Sequence, residues 1–371
     1  MANEDRATRY HRLRRRSSLS ATASGALFLL ILLVSGGSVA LRDALVAVTG
    51  GSFILTVAAY VVAVVLIGEL IQLPFAFYQG VTLERRYGLS TETTARWWRD
   101  HGKATGVALV FAVVAALITW SLLRWSPDRW WIAAAVTFVA ILVGIAQLAP
   151  VVLLPLFYEF KPLERAELVA RLLALANRAG ARVLGVFEWR LSDRTRKANA
   201  ALAGIGRTRR ILVSDTLLAE HSDDEIEVIL AHELAHHVYR DIWSAIALES
   251  VLIVAGLYLA DGILSRFAGG FGLAGKADIA GLPLLVLTLG AVSMALLPVA
   301  NAFSRAHERR ADRYALRMTN NATAFVTAMK RLAAQNLAEE APSRLVEVLF
   351  HSHPPIRARI AAAQDWAHQN K

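Results

Sequence analysis

Thiols and charge are both scarce in this sequence. None of its 371 residues is cysteine, so a disulfide-stapled scaffold is excluded. Any metal site must then be built from histidine and carboxylates, because thiolate ligands are missing. Charged residues make up 19%, below the roughly 25% of an average soluble domain. Among the cations lysine is rare, 6 against 34 arginines. There is no internal repeat, no low-complexity linker and no G-x-S-x-G nucleophile elbow. What fills the space is apolar: 56% of the residues are hydrophobic. That excess excludes intrinsic disorder and points to a membrane protein with a polar part attached.

The apolar residues are clumped. A helix crossing a bilayer needs about 20 mainly apolar residues. Six stretches qualify: roughly 20–41, 53–78, 105–123, 130–157, 243–264 and 279–303. A basic start, an apolar run and Ser38-Val39-Ala40 also fit a cleavable signal peptide. The run is long for that purpose and further spans follow, which favours a retained first span. Glu69 and Gln72 lie inside the second stretch, and Gln147, Pro150 and Pro155 inside the fourth. Intramembrane polar groups usually face a bundle interior or a cavity.

Positive charge sets the orientation. Six arginines between Arg6 and Arg16 precede the first span, and Arg85, Arg86, Arg96, Arg99 and Lys103 follow the second. The loops after spans one, three and five carry few cations. This alternation puts both termini in the cytosol, together with the polar block 158–242 and the tail 304–371. The net charge of +10 is then topological and membrane-surface charge. No basic, aromatic-studded module is present, so no nucleic-acid partner is expected. Four regions follow: 1–157, a basic arm and four spans; 158–242, a cytosolic block; 243–303, two spans; and 304–371, a cytosolic helical tail.

The polar block carries the chemistry. Residues 163–179 have helical periodicity with Gly180 at the end, and 183–189 and 209–214 read as short strands. Ser222-Asp223-Asp224-Glu225 is a capping box that starts a helix reaching about Arg240. On it lies His232-Glu233-Leu234-Ala235-His236, an H-E-x-x-H motif. Residues four apart share a helix face, so His232 and His236 can hold one zinc ion. Glu233 is offset toward the open coordination position, where it can take a proton from the attacking water and pass it to a leaving amine. With 10 His and 17 Glu in the chain, about 0.01 such matches arise by chance, the false-positive risk every motif carries.

A catalytic zinc wants a third protein ligand. Ile242 stands where a metzincin would have its third histidine, which favours a carboxylate. Glu249 falls inside span five and would have to double back. Glu308 lies just beyond span six, on the same side as the motif. Asp312 is four residues later on the same face, placed to orient a ligand histidine.

These residues, and the pieces that flank them, resemble the type I CaaX prenyl endopeptidases and their bacterial relatives, integral membrane zinc peptidases of the gluzincin class. Leu73-Pro74-Phe75 with Glu84-Arg85-Arg86-Tyr87-Gly88 is similar to the family's stretch after its second span, and Pro155-Leu156-Phe157 with Pro162-Leu163 to its entry into the soluble part. Asn199-Ala200 with Gly204 and Gly206, Ile211 to Leu217, and His353-Pro354-Pro355 with Arg359 and Ile360 resemble further family segments. The resemblance implies a mainly α fold: a polytopic bundle of about six spans with a cytosolic gluzincin-like zinc peptidase part containing a small β-sheet. It implies one Zn2+ per chain, held by His232, His236 and Glu308, with Glu233 as general base. Asp312 matches the carboxylate that follows the third ligand. Asn199 and Ala200 match the strand that pairs with the substrate backbone. His353 matches a donor to the oxyanion of the tetrahedral intermediate. His237 follows the motif where an aromatic is common in eukaryotic members, and His307 points a different way on its helix from Glu308. His351, two residues before His353, could face the same side of an extended tail; His353 is favoured because the Pro-Pro after it fixes its backbone.

The expected activity is peptide-bond hydrolysis of membrane-associated or CaaX-type proteins, lipidated or not, in the bacterial cytoplasmic membrane with the site facing the cytosol. Nothing in the sequence reads a prenyl group, and oligomeric state is left open. One alternative is a heat-shock-type membrane quality-control zinc protease, which usually has fewer spans before the motif. The other is a non-enzymatic transporter or scaffold using Glu69 and Gln72.

Overall fold

A computed structural model describes residues 5–204 and 208–370. Gly206 lies outside them. The chain is predominantly helical. It opens with α1 (Arg6–Val34), α2 (Gly37–Val48) and α3 (Phe53–Phe77), which runs through a π-helical turn (Tyr78–Leu83) into α4 (Glu84–Arg86). Two long helices follow, α5 (Thr94–Trp125) and α6 (Trp130–Val152), then the short α7 (Leu154–Phe157). The polar block holds β1 (Phe160–Pro162), α8 (Ala166–Arg178), β2 (Val186–Trp189), β3 (Ala200–Ala203), β4 (Arg210–Ser214), α9 (Asp215–Glu220) and α10 (Asp223–Val238). The chain ends with α11 (Asp241–Phe267), α12 (Leu282–Thr319), α13 (Ala322–Asn336), α14 (Arg344–Phe350) and α15 (Ile356–Gln369).

Among the described residues six helices are long and apolar enough to cross a bilayer: α1, α3 with its extension, α5, α6, α11 and α12. They leave Leu27, Leu30, Ile31, Leu70, Val110, Val136, Val251 and Met294 exposed, as lipid-facing side chains must be. The first apolar run, read as continuous over 20–41, is broken. Gly36 sits at φ +74°, a left-handed conformation that glycine adopts without a Cβ penalty, and the chain restarts as α2. With 12 residues, α2 is too short to span. The π-helical turn brings Gly80 against Trp97, where a Cβ would stand 2.6 Å from the indole nitrogen.

Two apolar cores are separate. In the bundle, Tyr60, Trp120, Trp130, Leu257, Leu264 and Leu285 are buried together. In the polar block, Leu168, Leu172 and Leu175 form one stripe of α8, spaced by four and three residues. They pack with Ile211, Val213, Ile226, Leu230, Phe325 and Met329. The sheet order is β1-β2-β4-β3. β2 and β4 are parallel, and β1 and β3 pair antiparallel at the two edges, with Ala200 opposite Val213 and Leu202 opposite Ile211. α12 stays helical past the apolar residues and Pro298 to Thr319, so span six and the tail's first charged segment are one continuous helix.

Candidate metal centre

The centre is assembled on α10. Ser222 accepts from the Glu225 N–H and Glu225 Oε2 accepts from the Ser222 N–H, the reciprocal capping box, with Asp223 and Asp224 in the first turn. The start of the helix is thereby fixed. Its middle is buried, and His232 is only 8% exposed. The i, i+4 spacing brings His232 Nε2 and His236 Nε2 to 3.3 Å. α12 packs against this face and delivers Glu308, with Oε2 3.2 Å from His232 Nε2 and Oε1 3.5 Å from His236 Nε2. One ligand atom from each of His232, His236 and Glu308 lies within 4.8 Å of the others.

Carboxylates behind the rings decide which nitrogens face inward. His232 Nδ1 is 2.9 Å from Asp312 Oδ1, and His236 Nδ1 is 2.8 Å from Asp241 Oδ2. Each Nδ1 therefore carries its proton toward a carboxylate and each Nε2 lone pair turns to the centre, a tautomer assigned from these partners. Asp312 is gripped by Arg359, which donates from Nε at 2.9 Å and Nη2 at 2.6 Å. Asp241 is paired with Arg310, whose guanidinium also lies over the Tyr239 ring. Glu308 Oε2 is buried with no hydrogen-bond partner of acceptable geometry. Three acceptors thus converge on one point. The surplus is visible in His232: burial alone would lower its pKa, but Asp312 and Glu308 outweigh burial and push it up to about 9. A divalent cation fits this point by replacing that proton, and an all-His/Glu donor set suits zinc.

The other expected residues surround the centre. Glu233 is half-buried. Burial pushes its carboxyl above the ordinary value, while His232 and His236 pull it back. His353 is mostly exposed, with Nδ1 2.8 Å from Glu308 Oε2. Ala200 begins the edge strand β3, and Asn199 immediately precedes it, its N–H donating to Ser214 Oγ and its C=O accepting from the Ser214 N–H. Glu249 stays exposed on α11. His307 turns toward Ser244 and Asp241, and His237 toward Arg209. Glu69 is 2.6 Å from His101, whose ring stacks on Trp97, and Gln72 donates to the Ala21 carbonyl. These last two form their own polar contacts among the spans.

Two participants escaped the sequence. Asp241 follows His236 by five residues, but only because α10 stops at Val238 and Arg240 takes φ +55° does its carboxylate fold back onto the ring. Arg359 was visible as part of a motif, but its bidentate hold on Asp312 was not.

With the geometry established, the chain can be compared with known proteins. The family model described as Peptidase family M48 matches residues 162–367, more than half of the chain. The chain belongs to peptidase family M48. A second family model, described as the CAAX prenyl protease N-terminal region with five membrane helices, matches residues 2–159 of this M48 peptidase. Among the described residues of that region four helices are long enough to span, and α2 stands in the place between the first two. A Bacillus subtilis protein called an uncharacterized metalloprotease, YhfN, is 32% identical over 338 residues, covering 90% of this chain and 79% of that one. The CAAX prenyl protease 1 of Saccharomyces cerevisiae is 26% identical, covering 82% and 71% respectively. The crystal structure of S. mikatae Ste24p superposes with a TM-score of 0.87 at 22% identity, over 96% of this chain and 88% of that one, which establishes a common fold. The M48 peptidase is thus a polytopic membrane metalloprotease of the CAAX prenyl protease type, acting on peptide or protein substrates.

Proposed function

We propose that this M48 peptidase is a zinc endopeptidase that cuts membrane-associated or CaaX-type proteins at the cytosolic face of a bacterial membrane. The observation that carries the reading is the convergence of His232, His236 and Glu308 within 4.8 Å, with Glu233 on the same helix. When bound, zinc supplies Lewis-acid polarisation of the scissile carbonyl and acidifies the attacking water. The chain's own residues do the rest. Asp312 and Asp241 hold the ligand rings in register. Glu233, raised by burial, is matched to accept a proton from water and return it to the leaving amine. β3 is an edge strand whose outer side can take an extended peptide, with Asn199 and Ala200 at its start. His353, beside Glu308 and mostly exposed, is placed to donate to the oxyanion.

The orientation rests on charge. The arginine-rich start of α1 and the first turns of α5 lie at the peptidase end of the bundle, through Arg15–Glu339, Arg96–Asp193 and Arg194–Asp100 ion pairs. The excess of arginine at this end supports a cytosolic orientation.

Glu233→Gln in the detergent-purified protein tests the chemistry. Zinc content should stay at one per chain while cleavage of an internally quenched peptide falls by at least about 100-fold, the lower end for loss of a general base. Cleavage at the wild-type rate would refute the assignment. Comparing a peptide ending Cys-Val-Leu-Ser with its farnesylated form decides whether lipidation matters.

A further inference from the structure

The segment that carries His353 is held from two sides, and one of the holds begins in the N-terminal helix. α14 ends at Phe350, and His351 to Pro355 form a loop before α15. On one side α12 clamps the end of α14. Asn301 Nδ2 donates to the Leu349 carbonyl at 2.9 Å, and Arg305 Nη1 donates to the His351 carbonyl at 2.6 Å and the Glu347 carbonyl at 3.0 Å. Asn301, Arg305, Glu308 and Asp312 are all buried and spaced by four, three and four residues, so they form one polar stripe on α12. The clamp and the proposed metal ligand therefore share a face.

On the other side stands Glu339, just past α13, with its side chain only 4% exposed. Glu339 Oε2 lies 2.6 Å from Arg15 Nη1 on α1 and 3.4 Å from His351 Nε2. His11 on α1 adds a contact at 2.8 Å to the Leu337 carbonyl, and Leu337 holds a left-handed φ of +48° that fixes the turn leading to Glu339. The loop is thus pinned at His351, through both side chain and carbonyl, and again at the buried Pro354. His353 lies between the pins. The proline after it restricts its backbone to the extended region, and from there its Nδ1 reaches to 2.8 Å from Glu308 Oε2.

We propose that Glu339 and Arg15 are positioning residues for His353: α1, through the buried Glu339 carboxylate, holds the His351–Pro354 loop so that the His353 ring meets the substrate carbonyl at the metal centre. The assignment rests on reading His353 as a group that touches the substrate. Removing either partner of a buried ion pair leaves the other uncompensated, and the loop would then relax. His353 acts in the transition state, so a misplaced ring lowers kcat rather than raising KM.

The test uses the full chain in detergent with an internally quenched peptide cleaved by wild type, and five variants: Glu339→Gln, Arg15→Ala, Arg15→Lys, His353→Ala and the double variant Glu339→Gln/His353→Ala. Glu339→Gln and Arg15→Ala should each lower kcat by about tenfold, within the loss that a misplaced group costs. KM and zinc content should stay near wild type, and Arg15→Lys should recover most of the rate. In the His353→Ala background, Glu339→Gln should have no further effect, because the two act through one ring. Losses that multiply in the double variant, or a wild-type kcat in Glu339→Gln and Arg15→Ala, overturn the proposal. A wild-type kcat in His353→Ala overturns instead the reading of His353 on which it rests. If Glu339→Gln does not fold, the Arg15 pair decides, with Arg15→Ala/His353→Ala as the double variant.

Discussion

Asp241→Asn isolates what a carboxylate behind a ligand ring contributes. The change keeps shape and removes charge from a side chain that is 8% exposed and 2.8 Å from His236 Nδ1. With the charge gone, the imidazole loses the partner that fixes its tautomer and ring orientation, which typically weakens metal binding by about 10- to 100-fold. That corresponds to roughly 1.4–2.8 kcal/mol. The structure says why this site is cleaner than the equivalent one behind His232. Asp241's other partners are His307, 3.8 Å away, and Arg310, which is 35% exposed and lies over Tyr239, so water can take over much of the guanidinium's solvation and the folding cost should stay near about 1 kcal/mol. Asp312's other partner, Arg359, is 11% exposed. Neutralising Asp312 would strand a buried guanidinium, at about 3–5 kcal/mol, and confuse affinity with stability. The assay is zinc competition against a chromophoric chelator, with thermal unfolding followed in parallel. A zinc affinity within about twofold of wild type, for a variant that unfolds normally, would refute the claim that Asp241 sets the state of His236.

Two further outcomes concern the fold. Asp215 accepts from the Ser192 hydroxyl and from the N–H groups of Leu191, Ser192 and Thr216; burial raises its pKa, but these bonds outweigh burial and lower it. A carboxylate lowered on folding stabilises above its unfolded pKa and loses that contribution as pH falls through its folded value. Asp215→Asn should therefore be less stable than wild type at pH 7, with the gap closing in acid; equal melting temperatures at pH 7 would contradict this. Arg240 holds φ +55° at the break between α10 and α11 with no ion pair among the described residues. Arg240→Gly should raise the melting temperature by relieving about 1 kcal/mol of left-handed strain, and a lower one would show that the side chain has a role the structure does not assign.

Much of this centre was legible because its parts are local. The H-E-x-x-H spacing and the Ser222 capping box are short-range patterns, and helix geometry alone puts His232 and His236 together. Glu308 and Asp312 were legible as a pair four apart. The clamp residues Asn301 and Arg305 were not, since one hides in an apolar run and the other reads as ordinary juxtamembrane charge until α14 is seen to end against them. Asp241 depended on a left-handed turn that no hydrophobic period encodes. The same blindness affected the first span: hydropathy saw 20–41 as one run, while the backbone turns at Gly36. Helices were found where composition and period agree, and the breaks between them were missed where a single residue's φ decides.

α12 has a mechanical consequence. No linker separates the uncharged stretch 282–303 from Glu308; from Phe303 to Glu308 the helix rises about 7.5 Å. The height of the proposed zinc site above the bilayer is then set by helix rise and span depth, as a mark is set on a ruler. A peptidase built this way would choose its scissile bond partly by distance: the reach of a membrane-tethered substrate from its anchor would count beside the side chains at the cut.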